Sequence, residues 1–310
     1  MSLVITVNEI EEILQSHLPN SLSQKCKNAS LTYEEISNQE RDAYLLDVIN
    51  LLFNESLNKD SKPAGEYRLQ EWEMGWTENL EALKNGKTFN DLLPKYHGKH
   101  KLVHWKQRMI RPITPYFDYT IHSIIVDWAI HKYLSDVNSI YEFGCGPAYH
   151  LLRARNYNNH AKMIGLDWTN ASQEIIKKIK ETGIDNNIEG HNFNFFEPDY
   201  SLDVTQGSGF FTVAALEQIG ERFEQFIQFV LKKKPSICVH FEPIDELLDD
   251  YNLIDRLSIL YFRKRNYLYG FLTRLRELQF EGKIEILKEQ RTYTGSYFIE
   301  GHSLVVWRPL

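Results

Sequence analysis

The stretch Glu142-Phe-Gly144-Cys-Gly146-Pro-Ala148 sets an acid, two glycines at alternate positions and a small residue at the end of a short apolar run. Glycine lacks a Cβ and tolerates positive φ, so such a backbone can approach a ligand closely. The residues that follow read as the first turn of a helix, whose free N–H groups face the loop. A dinucleotide fingerprint would need G-x-G-x-x-G. Here Pro147, Ala148 and Tyr149 follow Gly146, and the third glycine is absent. An acid ahead of the loop repels a pyrophosphate and suits a cationic ligand. A second acid, Asp167, comes 25 positions after Glu142 (167 − 142) at the end of another apolar run, with Trp168 next to it.

Other residues with chemistry lie at the ends of later apolar runs. Glu217, His240 and Glu242 are candidate general bases, with His122 and His302 beside them as weaker ones. His240 lies inside an apolar run, so a buried structural role fits it as well. Leu92 to Phe117 contains no Asp or Glu, yet carries Lys95, Lys99, Lys101, Lys106, Arg108 and Arg111, with His97, His100 and His104 among them. This block is either a solvated loop or an electropositive patch for a carboxylate or phosphate. Arg108 and Arg111 are its best bidentate partners. The three histidines have no carboxylate nearby, and no metal site is expected. Asp245, Glu246, Asp249 and Asp250 read as one solvated face of a continuous helix.

Two kinds of element must position these groups. Before residue 115 the pattern is helical. Ile5–His17, Leu31–Phe53 and Tyr67–Leu83 have helix-spaced apolar residues, and Trp72 and Trp76 read as a core stripe. A helix from Phe117 to about Leu134, with Tyr119 and His122 near its start, leads into the glycine stretch. Strands are expected at Ser139–Phe143, Lys162–Leu166, His191–Phe196, Gly209–Leu216 and Pro235–Phe241, with helices at Pro147–Asn156, Ala171–Thr182 and Gln218–Leu231. Alternation of this kind implies right-handed crossovers and a mostly parallel sheet covered on both faces. Ile244 to Leu278 reads as long and helical. Lys283–Glu289 and Ser303–Trp307 then form two strands with no helix between them, which should pair antiparallel.

The Glu142–Ala148 stretch resembles the first motif of the class I S-adenosylmethionine-dependent methyltransferases, E/D-x-G-x-G-x-G, with Ala148 in place of the last glycine. The resemblance covers about Ser139 to Leu310. It implies an α/β, Rossmann-like, seven-stranded sheet with one antiparallel strand and helices on both faces. The N-terminal helical region, 1–115, would cover the substrate; the cofactor domain would span 116–310, with a helical insertion at about 244–279. The resemblance implies S-adenosyl-L-methionine as cofactor. Glu142 would act near its methionine ammonium, and Gly144 and Gly146 would line the methionine portion. Asp167 would take both ribose hydroxyls, and Trp168 would cover one adenine face. Asn194 and Phe195 would lie at the adenine amino group, and Ala214 beside the cofactor. Ala214-Ala-Leu-Glu217-Gln218-Ile219 resembles the L-E-H-I segment of many small-molecule members, with Gln218 where His is common.

The expected activity is methyl transfer to O or N of a small molecule, one with an anionic group, with Arg108, Arg111, Tyr119 and His122 on the substrate side. Alternatives are a silent cofactor-binding partner protein and a nicotinamide oxidoreductase. The net charge of −7 argues against nucleic acid or a membrane surface as partner, and the chain has no long apolar run. Three widely spaced cysteines, Cys26, Cys145 and Cys238, suit a reducing cytoplasm. The oligomeric state is open, a homodimer being one option.

Overall fold

The computed structural model describes residues 2–54, 62–86, 88, 92, 100–298 and 300–310. Lys95, His97 and Lys99 of the basic block lie outside the described residues. The main sheet has seven strands: β5 (Ser139–Phe143), β6 (Lys162–Asp167), β7 (Ile188–Asn192), β8 (Ser208–Val213), β9 (Ile237–Glu242), β10 (Ile284–Gln290) and β12 (Ser303–Pro309). Their order is β10-β12-β9-β8-β5-β6-β7. The five strands β5 to β9 pair in parallel, whereas β12 runs antiparallel to both β9 and β10. This is the layout the sequence pattern implies.

Both faces of the sheet are buried, and the side-chain alternation shows it. Ile140 and Phe211 pack with the Phe117–Leu134 and Tyr149–Ala154 helices. Tyr141, Phe143 and Phe210 pack on the other face, with Phe226 and Phe229 of the Glu224–Lys233 helix. Continuous apolar strands are what a sheet covered on both sides requires. From β5 the chain moves outward to β6 and β7, then returns to β8 on the opposite flank of β5. The carboxyl ends of β5 and β8 therefore bound a topological switch point, where open α/β sheets place ligands.

The N-terminal region contains helices at Val7–Leu14, Asn38–Phe53 and Leu69–Lys84 within the three expected stretches, and a further helix at Asn20–Ala29 in the polar interval, where none was expected. Thr6 and Ser37 begin two of them with capping boxes to Glu9 and Glu40. The region also forms a small antiparallel sheet, in the order β1 (Ser2–Val4), β2 (Thr32–Glu35), β4 (Arg108–Pro112), β3 (Val103–Trp105) and β11 (Thr294–Gly295). These strands of two to five residues are too short to show period-two alternation. β11 comes from the β10–β12 connection, so the end of the chain joins the sheet of its beginning. Lys25 Nζ donates to Asp127 Oδ2 (2.8 Å), and Arg153 donates to Asp127 Oδ1 (2.6 Å), so the Asn20–Ala29 helix is tied to the main body by a buried carboxylate.

The expected continuous helix over Ile244–Leu278 is interrupted. A 3-10 turn at Asp245–Leu247 is followed by helices at Leu253–Lys264 and Phe271–Phe280. Asn252 caps the first, its side chain accepting from the N–H groups of Ile254 and Asp255, and Gly270, at φ 78°, begins the second. Asp245 is consequently not on a solvated helical face: it is buried and pairs with Arg263 at 2.7 Å. No helix among the described residues is long and apolar enough to cross a membrane.

Candidate functional site

The glycine loop is bound to the sheet by its own backbone. The N–H groups of Gly144 and Cys145 donate to Leu166 O at 2.7 and 3.1 Å, so the loop is anchored on β6 as well as β5. Gly144, Gly146 and Ala148 all have positive φ, at 69°, 48° and 60°. Ala148 thus fills a left-handed position that glycine would hold without strain, and alanine does so at about 1 kcal/mol. A Cβ on Gly144 would lie 2.5 Å from Ala215 Cβ, and one on Gly146 would lie 2.8 Å from the Trp76 indole. The absence of side chains at both positions is therefore what leaves room along the loop.

Asp167 is at the carboxyl end of the adjacent strand. It accepts from Gly146 N (2.9 Å), Thr169 N (2.9 Å) and Thr169 Oγ1 (2.7 Å). Burial raises its pKa, the Thr169 and Gly146 bonds lower it, and burial outweighs them. Glu142 lies under the loop and is not on the wall of the crevice. Burial carries its carboxyl well above the usual range against a bond from the Leu151 backbone, and the Asp167 charge adds to the rise. Its Oε2 is buried with no hydrogen-bond partner.

The crevice above the loop is lined by Trp72, Trp76, Gly144, Asp167, Trp168, Phe193, Phe195, Phe196, Ala214, Ala215, Gln218 and Ile219. It holds about 530 Å³ outside the protein atoms, open solvent at its mouth included. Five of the expected cofactor residues, Gly144, Asp167, Trp168, Phe195 and Ala214, are brought together here. Asn194 is not on the wall: its side chain accepts from Phe196 N at 3.0 Å and shapes the turn that presents Phe195 and Phe196.

One wall of the crevice comes from the N-terminal region. Trp72 and Trp76 are stacked, with centroids 5.6 Å apart and planes 22° apart, but they face the crevice and are not a core stripe. Their helix is held on both flanks. The Glu73 carboxylate accepts from Asn170 N (2.7 Å) and Ala171 N (2.9 Å), at the start of the helix that follows Asp167. On the other flank Arg68 donates to Gln218 Oε1 at 2.7 Å, with its guanidinium 4.9 Å from the Trp72 ring centre. An acid one position after Trp72, facing a helix start 97 residues away (170 − 73), leaves no local sequence signal.

A second, polar cluster lies beside the crevice, at the ends of β8 and β9 and the start of β12, and Gln218 is its member on the crevice wall. Glu242 is fully buried and accepts from Ala215 N (3.1 Å) and Glu217 N (3.0 Å). Burial and the neighbouring Glu217 charge push its carboxyl up to about 7, against the Ala215 bond. Glu217 Oε1 accepts from Gln218 Nε2 (2.8 Å), and Glu217 Oε2 faces His302 Nε2 at 3.4 Å. Burial opposes charge on His302, but its bond to Glu217 and the Glu217 and Glu242 charges bring its pKa above the ordinary histidine value. The His122 ring lies 5.7 Å from that of His302.

Several expected site residues stand elsewhere. His240 is buried two residues before Glu242 on the same face of β9, deeper in the core, its Nδ1 2.9 Å from Thr212 Oγ1 and its ring beside Phe226, Phe271 and Trp307. Burial lowers its pKa to about 3, which leaves it unable to hold a proton near neutrality. Arg108 and Arg111 do not line the crevice. They lie on β4 and pair with Glu35, and with Glu34 and Glu40, the carboxylates that the acid-free block itself lacks. Tyr119 bonds the Tyr149 hydroxyl outside the crevice wall.

No protein-family model matches the chain, and no curated protein does. Among solved structures, the chain is similar to an O-methyltransferase from neocarzinostatin biosynthesis, at 14% identity over 78% of this chain and 70% of that one, TM-score 0.45. It is also similar to human N-acetylserotonin methyltransferase, at 11% identity over 86% of this chain and 65% of that one, TM-score 0.46. An N-methyltransferase from Bradyrhizobium japonicum matches at 11% identity over 62% of this chain and 87% of that one, TM-score 0.45. Likenesses at this distance carry no argument about chemistry.

Proposed function

We propose that this chain is a class I S-adenosylmethionine-dependent methyltransferase that acts on a small molecule. One observation carries the reading. A strand–glycine loop–helix unit stands at the switch point of a sheet ordered β10-β12-β9-β8-β5-β6-β7, with an acid at the end of the neighbouring strand. The Gly144 and Gly146 backbone would hold the methionine portion, with Glu142 beneath it. Asp167 would take the ribose hydroxyls, and Trp168, Phe195 and Phe196 would hold the adenine. Trp72 and Trp76 would close the crevice from the N-terminal side, and Ala214 would border it. When bound, S-adenosylmethionine supplies a methyl group already activated on a sulfonium sulfur. The protein's own task is then to orient the acceptor and exclude water.

An anionic handle on the acceptor has no support in Arg108 and Arg111, whose charges are answered by glutamates. The three free, buried cysteines suit a reducing compartment such as the cytoplasm. Titration calorimetry of the full chain with S-adenosylhomocysteine, NAD and NADP tests the reading. Saturable, one-to-one binding of S-adenosylhomocysteine and none of either nicotinamide is expected. No heat from S-adenosylhomocysteine would rule the reading out.

A further inference from the structure

A general base is needed only where the attacking atom carries a proton that must leave as it attacks. Gln218, an amide on the crevice wall, cannot accept one. We infer that His302, held by Glu217, is the general base of this chain and that the acceptor atom is a hydroxyl oxygen. The inference rests on the methyl-transfer reading above.

The position comes from the one antiparallel strand. β12 starts at the edge where the parallel strands end, with Ser303 opposite Glu242. His302 is therefore delivered beside Glu217, whose chain neighbour Gln218 lines the crevice, by a strand that enters from outside it. Glu217 reaches the same place between Ala215 and Gln218, both on the crevice wall. Its backbone is fixed by Glu242, which receives the N–H groups of Ala215 and Glu217 on separate oxygens. Gln218 is a positioning residue: its Oε1 accepts a hydrogen bond from Arg68 and its Nε2 donates to Glu217 Oε1. That leaves Glu217 Oε2 for His302 Nε2. An imidazole that donates from Nε2 to a carboxylate carries its lone pair on Nδ1.

The rival bases on these strands are excluded by their surroundings. His240 is fully buried among Phe226, Phe271 and Trp307, and Glu242 is fully buried with an oxygen on each of two backbone N–H groups. The titratable groups around His302 are Glu217 and Glu242 from the ends of β8 and β9, and His122 from the Phe117–Leu134 helix. Tyr261, Tyr267 and Arg68 face the Glu217 side of the pair. A neutral amine attacks with a free lone pair and needs no such pair, whereas a hydroxyl gains from losing its proton in the transition state. In the step, the acceptor O–H bond breaks and its proton goes to His302 Nδ1. The electron pair left on oxygen forms the O–CH3 bond, and the pair from the broken S–CH3 bond remains on sulfur, now a neutral thioether.

Two measurements on the full chain test this. In the first, histidine side-chain resonances are followed by NMR across pH 5–9, with and without S-adenosylhomocysteine, and His302 is assigned by its loss in His302→Gln. His302 is expected to titrate above the ordinary histidine value of about 6.5 and to fall toward it in Glu217→Gln; an unshifted His302 in the parent chain overturns the pair. In the second, methyl-labelled S-adenosylmethionine is offered with a panel of phenols (catechol, 4-hydroxybenzoate) and primary amines (tryptamine, histamine). Label is expected in phenols, falling about 100-fold or more in His302→Gln, with S-adenosylhomocysteine affinity held within about twofold of the parent as the fold control. Glu217→Gln should move the acid limb of the pH–rate profile to lower pH, since a base with a lower pKa is free at lower pH. Label in amines only, or in none of the panel, or full activity in His302→Gln, overturns the assignment. Failure of the parent chain to bind S-adenosylhomocysteine would instead sink the methyl-transfer reading itself.

Discussion

The site has two halves, the crevice over the glycine loop and the polar cluster beside it, built in different ways. On the β5–β6 side, the loop and its acid fall within 26 consecutive residues, Glu142 to Asp167, and the groups around them are mostly aromatic. On the β8–β9–β12 side, Arg68, Glu217, Gln218, Glu242 and His302 converge from four separate segments of chain, and all of them are polar. The first half is set by backbone: positive φ, close approach, and N–H groups donated to Leu166 and Asp167. The second is set by side chains that must meet in space. A site of the first kind leaves a contiguous mark in sequence, and a site of the second kind does not.

The most severe way to break the backbone half is Gly144→Ala. Its Cβ would lie 2.5 Å from Ala215 Cβ at a φ of 69°, and no flexible side-chain end is available to yield. Overpacking of about 1–3 kcal/mol adds to a left-handed penalty of about 1–2 kcal/mol. Affinity for S-adenosylhomocysteine should drop by about 100-fold or more by calorimetry, with a lower Tm. Gln218→Ala, in the polar half, should leave that affinity within a few-fold. Equal losses in the two variants would mean that the halves do not divide cofactor from acceptor as described.

How much was legible follows the same division. Gly144, Gly146 and Asp167 were readable because glycine and a strand-end acid carry backbone information. The antiparallel β10–β12 pair was readable because no helix-length segment separates the strands. Trp72 and Trp76 were not, because two aromatics four positions apart look the same whether they face a core or a cavity; only the docking of Glu73 and Arg68 decides it. His240 showed the converse. Its place near a strand end suggested function, but it stands two residues short of that end, sealed among Phe226, Phe271 and Trp307. The small N-terminal sheet was hidden by strands of two to five residues and by its fifth member, Thr294–Gly295, arriving from the far end of the chain.

Trp76→Ala sharpens the comparison at an intermediate size. If the indole is a wall of the crevice, truncation removes an aromatic contact of about 0.5–1.5 kcal/mol. Affinity for S-adenosylhomocysteine should then fall by up to about tenfold, and Trp76→Phe should recover most of the loss. A core residue would behave differently: Tm would drop while the affinity of the folded fraction stayed that of the parent.

The smallest effect is expected outside both halves, and it measures how far the site extends. Arg108 and Arg111 carry side chains that are 75% and 39% exposed and are paired with Glu35, Glu34 and Glu40 across strand β2 and the start of the Asn38–Phe53 helix. Exposed pairs of this kind contribute about 0–1 kcal/mol because water and salt screen them and both side chains lose entropy. Arg108→Ala and Arg111→Ala should each shift stability by no more than about 1 kcal/mol in urea unfolding. Neither should change the KM for whichever phenol the panel identifies, including one bearing a carboxylate. A KM that rises for a carboxylated phenol and not for a neutral one would bring the β4 edge into the acceptor site. The polar half would then extend from β12 to the small sheet, and the charge on these two arginines would have to be shared between the glutamates and the substrate.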